Sequence, residues 1–246
     1  MTRSTGSAAV RIGVILTAVA LAGTWILVHV RDQRLGAALV RAAPDRVLSN
    51  ASLVSFALGV AKPAYATHCA GCHGSDLRGD RRRGVPDLED GAWLYGQGEV
   101  ASLEATILYG IRSGHPKAHN ITDMPAFGRI GQLSSTEVRD VVEYVYGLSH
   151  SDSDPVAARR GAALYADKGS CYDCHGPDGS GNIDYGAPHL TGGDWLYGGD
   201  RGSLYDSVYN GRHGLCPAWI GRVTPLEIRA LAVYLHESAR QRVAAR

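Results

Sequence analysis

Two pentapeptides of the form Cys-x-x-Cys-His, Cys69-Ala70-Gly71-Cys72-His73 and Cys171-Tyr172-Asp173-Cys174-His175, constrain this chain more than any other feature. Two thiols three residues apart can bond the two vinyl groups of one haem, while the histidine that follows coordinates the iron from one face. A structural zinc site or a redox dithiol is the competing use of Cys-x-x-Cys. The histidine directly after both pairs and the Gly-rich, helix-patterned surroundings favour haem. The pattern therefore predicts two covalently bound haem c groups, attached through Cys69 and Cys72 and through Cys171 and Cys174, with His73 and His175 on the irons.

The pentapeptides belong to an internal duplication. Cys69, Cys72 and His73 match Cys171, Cys174 and His175 at an offset of 102, as do Pro86-Asp87-Leu88 with Pro188-His189-Leu190 and Trp93-Leu94-Tyr95-Gly96 with Trp195-Leu196-Tyr197-Gly198. Gly110 matches Gly211 at 101, and Met124-Pro125-Ala126-Phe127 matches Cys216-Pro217-Ala218-Trp219 at 92, so the first copy carries nine extra residues between Ile111 and Asp123. Each copy ends in a helix opened by a capping box, Ser134 with Glu137 and Thr224 with Glu227. Apolar stripes follow at Val138, Val141, Val142 and Val145, and at Ile228, Leu231, Ala232 and Leu235. The division expected is an N-terminal segment 1–31, a spacer 32–49, a first domain 50–149 and a second domain 156–242, mainly α-helical.

The duplication also nominates the sixth iron ligands. Met124, the one methionine besides the initiator, lies in a loop before the first terminal helix and is the candidate for the first haem. The second copy holds no Met, and Cys216 stands at the aligned position, a candidate thiolate that would lower that haem's potential. His213 in Arg212-His213-Gly214, or an open iron, are the alternatives there. Pro86 and Pro188 follow each motif where a backbone carbonyl could orient the ligating histidine, and Arg212 is a candidate propionate partner, equally readable as a surface charge. His115 and His119 fall in the insertion, within reach of the first haem's edge on this reading.

Ahead of the duplication, Ile12 to Val30 is a run of nineteen residues without formal charge, bounded by Arg11 and Arg31. As a helix it reaches about 29 Å, enough to cross the hydrocarbon core once. Ala20-Leu21-Ala22 offers a signal-peptide cleavage site instead, but cutting there would leave the apolar Thr24–Val30 stretch as a free end, so an uncleaved anchor is expected. The arginines flanking the run would place the C-terminal side in the cytoplasm, whereas covalent haem attachment in bacteria takes place outside it; the latter argument is given the greater weight. The uncharged stretch Val47–Ala61 is too short and too polar to cross a membrane and reads as the first helix of a soluble domain. Asn50 is its expected N-cap, with Leu53, Phe56, Ala57 and Val60 on one face. Charged residues make up 20% of the 246 and cancel to a net +1, which excludes a disordered polyelectrolyte and a basic nucleic-acid binder; no nucleic-acid partner is expected.

Taken together, the anchor, both Cys-x-x-Cys-His-Gly motifs, the two Trp-Leu-Tyr-Gly segments, Met124-Pro125-Ala126-Phe127 and Gly211-Arg212-His213-Gly214 resemble the membrane-anchored dihaem cytochrome c subunit (subunit III, FixP/CcoP type) of cbb3-type haem-copper oxidases. The resemblance covers nearly the whole chain. It implies two class I cytochrome c domains facing the periplasm from the bacterial cytoplasmic membrane, which take electrons from a soluble c-type cytochrome and pass them towards the catalytic and other membrane subunits of the oxidase. Such a subunit transfers electrons and makes or breaks no substrate bond by itself. The chain departs from the family where Cys216 replaces the Met of Met-Pro-Ala-Trp, and its N-terminal region is shorter. A Cys-ligated haem also suits a dihaem sulfur-oxidising enzyme, and a cytochrome subunit of another membrane oxidoreductase is a third reading.

Overall fold

The computed structural model describes residues 5–119, 123–192 and 195–245; residues 120–122 of the nine-residue insertion lie outside them, as do 1–4. The described residues form helices joined by glycine-rich loops, with isolated bridges and no strand. The helices are α1 (Thr5–Arg41), α2 (Ala51–His68), α3 (Ala70–His73), α4 (Val100–Tyr109), α5 (Ser135–Gly147), α6 (Pro155–Ala166), α7 (Tyr172–His175), α8 (Arg201–Asn210) and α9 (Pro225–Ala244).

Helix α1 contains the apolar run, and Gly13–Arg41 is long and apolar enough to cross a membrane, with no part of its most apolar window buried in the protein. The helix does not stop where the apolar residues do. It continues to Arg41, and Leu35, Leu39 and Val47 enter a core with α2 and α9, Leu39 and Val47 being fully buried. The stretch 32–49 expected as a spacer is thus helix followed by a 3-10 turn over Pro44–Ser49, because its apolar residues have a surface to bury against. Helix α2 begins as its sequence specifies: the Asn50 side chain accepts from the amides of Ser52 and Leu53, and Leu53 and Ala57 are buried on the predicted face.

Both capping boxes form, Ser134 with Glu137 and Thr224 with Glu227. The two apolar stripes are buried throughout. Where they are buried differs from the sequential division. Helix α5, the end of the first copy, packs on α6 and α8 of the second, whereas α9, the end of the second copy, packs on α2 and α4 of the first. One core therefore joins Leu53, Ala57, Tyr65, Val100 and Leu103 to Leu231, Val233 and Leu235. The other joins Phe127, Leu133, Val138 and Val141 to Tyr165, Leu190, Leu204 and Val208. Each packed body thus takes its terminal helix from the other copy.

The candidate haem sites

Each pentapeptide is wound into a single helical turn, α3 or α7, whose N-terminal side is the first cysteine. Two contacts hold each turn in the same way. Tyr65 donates its hydroxyl to the carbonyl of Gly74 at 2.7 Å, and Tyr165 donates to that of Gly176 at 2.6 Å. The imidazole Nδ1 of His175 lies 2.9 Å from the carbonyl oxygen of Pro188, and that of His73 lies 3.4 Å from Pro86 O. With Nδ1 directed to a carbonyl, Nε2 is the nitrogen left that could hold a metal, and burial holds both imidazoles below their ordinary pKa, favouring the neutral form. The two tyrosines were not found from the sequence. They lie four residues before Cys69 and six before Cys171, so the offset of 102 does not superpose them, and the signal was only a tyrosine in the helix leading into each motif.

All five cysteines are free thiols, so none of the four motif sulfurs is committed to a disulfide. Burial pushes Cys69 and Cys171 up to about 11, so both stand as protonated thiols near neutrality. Among the described residues no group of three or more His, Cys, Asp or Glu is placed to hold a metal ion. The donor set is instead one imidazole with two neighbouring thiols per site, which suits a porphyrin that brings four nitrogens of its own.

The sulfur candidates for the sixth position sit in exchanged places. Met124 packs against the second body, with Tyr165, Cys171 and Trp195 in the same cluster. Cys216 is in electrostatic contact with Cys69 and Cys72 of the first motif, and Trp219, three residues on, meets the ring of His68 at 5.5 Å. The alignment pairs Met124 with the first motif and Cys216 with the second, whereas in the packing the segment carrying Met124 lies against the second body and that carrying Cys216 beside the first motif.

Reciprocal backbone contacts fix the exchange. Ile111 N donates to Cys216 O at 2.9 Å and Cys216 N to Ile111 O at 3.0 Å; Met124 N donates to Arg212 O at 3.2 Å and Arg212 N to Met124 O at 3.1 Å. Gly110 and Gly211, aligned in the two copies, precede these bridges with φ of 77° and 73°, and a Cβ on either would collide with the carbonyl of Cys216 or of Met124. The aromatic pairs cross likewise. Tyr65 meets Tyr234 edge-on at 5.7 Å, and Tyr165 meets Tyr144 at 5.1 Å.

The remaining candidates are accounted for individually. His213 Nδ1 is 2.7 Å from an Asp123 carboxylate oxygen on the surface. Arg212 stacks over the Tyr197 ring at 4.1 Å and donates from Nε to Ser207 at 2.9 Å. In the insertion, His119 stacks on Tyr95 at 3.9 Å and approaches Thr106, and His115 stacks on Tyr109. A cleft of about 350 Å³ lies between the two motifs, lined by Pro86, Trp93, Pro188 and Trp195 among others.

Residues 61–149 match the family model described as cytochrome c, and residues 156–235 match that described as cytochrome C oxidase, cbb3-type, subunit III. The cbb3-type cytochrome c oxidase subunit CcoP of Cereibacter sphaeroides is 39% identical over 198 residues, 80% of this chain and 67% of the relative. Subunit FixP of Azorhizobium caulinodans is 42% identical over 193 residues, 78% and 63% of the two chains. FixP of Bradyrhizobium diazoefficiens is 39% identical over 201 residues, 81% and 67%. The chain spans about two thirds of the length of these relatives. They favour neither a sulfur-oxidising enzyme nor the cytochrome of a different oxidoreductase. A helical fold of two cytochrome c domains behind one apolar N-terminal helix, with these relatives, makes the chain a member of the cbb3-type cytochrome c oxidase subunit III (CcoP/FixP) family.

Proposed function

We propose that this chain is a two-haem electron relay, held to the bilayer by α1 with its haem bodies in the periplasm, between a soluble c-type cytochrome and the other membrane subunits of a cbb3-type oxidase. The observation that carries the reading is the matched pair of histidines, each next to two free thiols and each with Nδ1 directed to a proline carbonyl. Haem c at each motif supplies a ferrous–ferric couple.

The chain's own residues do the rest. Cys69 and Cys72 hold the first group and Cys171 and Cys174 the second, while His73 and His175 are oriented by Pro86 and Pro188. The exchanged packing supports Cys216 as sixth ligand of the first site and Met124 as sixth ligand of the second. Burial pushes the Cys216 thiol up to about 11, so a thiolate at this position needs a cation beside it, which a haem iron held at the first motif would supply. Thiolate ligation lowers the potential of the site it serves, so the first site is the lower of the two. Arg212, beside the Met124 bridge, is retained as a propionate partner.

Purified full-length protein tests the reading directly. Pyridine haemochrome assay combined with intact mass should give two haems per chain, falling to one in Cys171→Ala/Cys174→Ala; a stoichiometry of one in the unsubstituted protein refutes the two-haem relay. Protease added to intact spheroplasts should remove the haem bodies, and full protection would contradict the periplasmic placement.

A further inference from the structure

Immediately after the first motif, Arg81-Arg82-Arg83 forms a 3-10 turn with all three side chains exposed. With exposed Arg78 and with Asp80, this stretch carries a net charge of +3 in a chain whose whole balance is +1. Asp80 caps the turn by accepting from Arg82 N, and its carboxylate is 4.0 Å from the Arg82 guanidinium, whose side chain is 95% exposed. Among the described residues, Arg78, Arg81 and Arg83 enter no ion pair.

The duplication supplies an internal control for whether the fold needs these charges. The aligned turn of the second copy is Ile183-Asp184-Tyr185, with no cation. Both turns are closed by the same bridge, Asp80 with Val85 and Asn182 with Ala187. Both dock on the opposite copy, Gly84 against the ring of Tyr197 and Gly186 against that of Tyr95. The second turn does the same structural work without an arginine, so folding does not account for the three guanidinium groups. Three adjacent like charges also repel one another, a cost that the second turn does not carry.

The turns flank the cleft between the loops that follow the two motifs. Arg81 and Ile183 line the cleft between the two motifs, and Ile183 and Tyr185 are 44% and 39% exposed on the second turn. A cationic rim on one side and small apolar contacts on the other suit a transient redox complex, in which charge steers encounter and fixes orientation. The bilayer is the competing anionic surface. Helix α1 meets α9 at Leu226, beside Gly36, whereas the loop that continues from the arginine turn meets α9 at Arg242, paired with Asp87 and Glu89. Those points are about 24 Å apart along α9, which sets the turn away from the end of the anchor.

We propose that the Arg81-Arg82-Arg83 turn, with the Ile183-Asp184-Tyr185 turn across the cleft, docks the acidic face of a soluble electron-carrying protein. The proposal rests on the electron-relay reading above.

Stopped-flow reduction of the full-length holoprotein in detergent, by a reduced acidic cytochrome c and separately by a reduced basic one, tests it. The variant is Arg82→Glu/Arg83→Glu, which leaves the cleft-lining Arg81 in place. The acidic donor's rate constant should fall with rising ionic strength and drop roughly tenfold or more at low salt in the variant, while the basic donor gains. Rates within twofold of the unsubstituted protein for both donors overturn the proposal, as does a variant whose only defect is loss of binding to phosphatidylglycerol vesicles. Reduction by dithionite separates the two levels: haems that dithionite reduces normally while no cytochrome donor reduces them at any salt count against the relay, whereas normal donor reduction without charge dependence counts against docking alone.

Discussion

Single residues show how tightly each exchanged helix is held. Gly161 of α6 and Gly59 of α2 both lie in the helix that leads into a motif, yet a Cβ on Gly161 would collide with the backbone carbonyl of Asp140 in α5, while one on Gly59 meets nothing within 4 Å. Gly161→Ala is expected to destabilise the second body by about 1 to 3 kcal/mol, since α5 must move to admit a methyl group. Gly59→Ala is expected to stabilise by about 0.5 to 1 kcal/mol through helix propensity. Denaturant unfolding of both variants checks the pair, and equal effects would contradict the close α5–α6 approach. Arg229, buried on α9, donates to Glu104 of α4 at 2.6 Å and to the carbonyls of Leu39 and Ala42 at 3.0 and 2.7 Å. It ties the end of the anchor helix to both copies. Arg229→Met leaves Glu104 half-buried without its partner and is expected to cost about 3 to 5 kcal/mol, much of it recovered by adding Glu104→Leu. Thermal unfolding of the single and double variants measures both.

At the scale of elements, the terminal helices decide which halves belong together. Lys168, in the loop before the second motif, pairs with Glu137 at the start of α5 at 2.6 Å. That hydrogen bond, with those from the Ser134 cap, holds the Glu137 carboxyl down to about 2 against an ordinary value of 4.5. Because the folded-state pKa is the lower one, the stabilisation is complete above about 4.5 and is lost as pH falls towards 2. The difference in melting temperature between the unsubstituted protein and Glu137→Gln should therefore be widest near neutrality and close through that window; a gap that persists at pH 2 would contradict the pairing. The exchange itself has a sharper consequence. A protease site placed at exposed Ser151, between α5 and α6, cuts the chain between the two copies. Both fragments should remain together on size exclusion, since α5 is buried in one body and α9 in the other. Separation under native conditions would mean that each copy packs on itself.

For the whole molecule, what could be read in advance and what could not have one physical cause. Asn50, both capping boxes and both apolar stripes announce themselves because caps and helical periodicity are local, and the structure forms each of them. Each proline carbonyl lies by the histidine of its own copy because a loop of the same length in both returns it there. Which copy an apolar stripe buries against is a different matter. The stripes of α5 and α9 are alike in kind, and a helix of either sequence satisfies either core, so the alignment favoured the nearer partner while the folded chain uses the farther one. The same ambiguity hid the tyrosine anchors, which align only after two residues are gained before the second motif. It also hid which sulfur-bearing segment lies by which motif: the segment carrying Cys216 is beside the body next to the anchor helix.

The crossed pairing of sulfur ligands is most directly measured on Cys171→Ala/Cys174→Ala, which keeps the first site and lacks the second haem. Low-temperature EPR and the optical spectrum of the oxidised variant should show a low-spin thiolate-ligated haem, with the methionine–iron charge-transfer band gone, and Cys216→Ser in that background should abolish the thiolate signature. A variant that instead retains the methionine band and loses the thiolate signal would show that each copy ligates its own haem and would contradict the exchange.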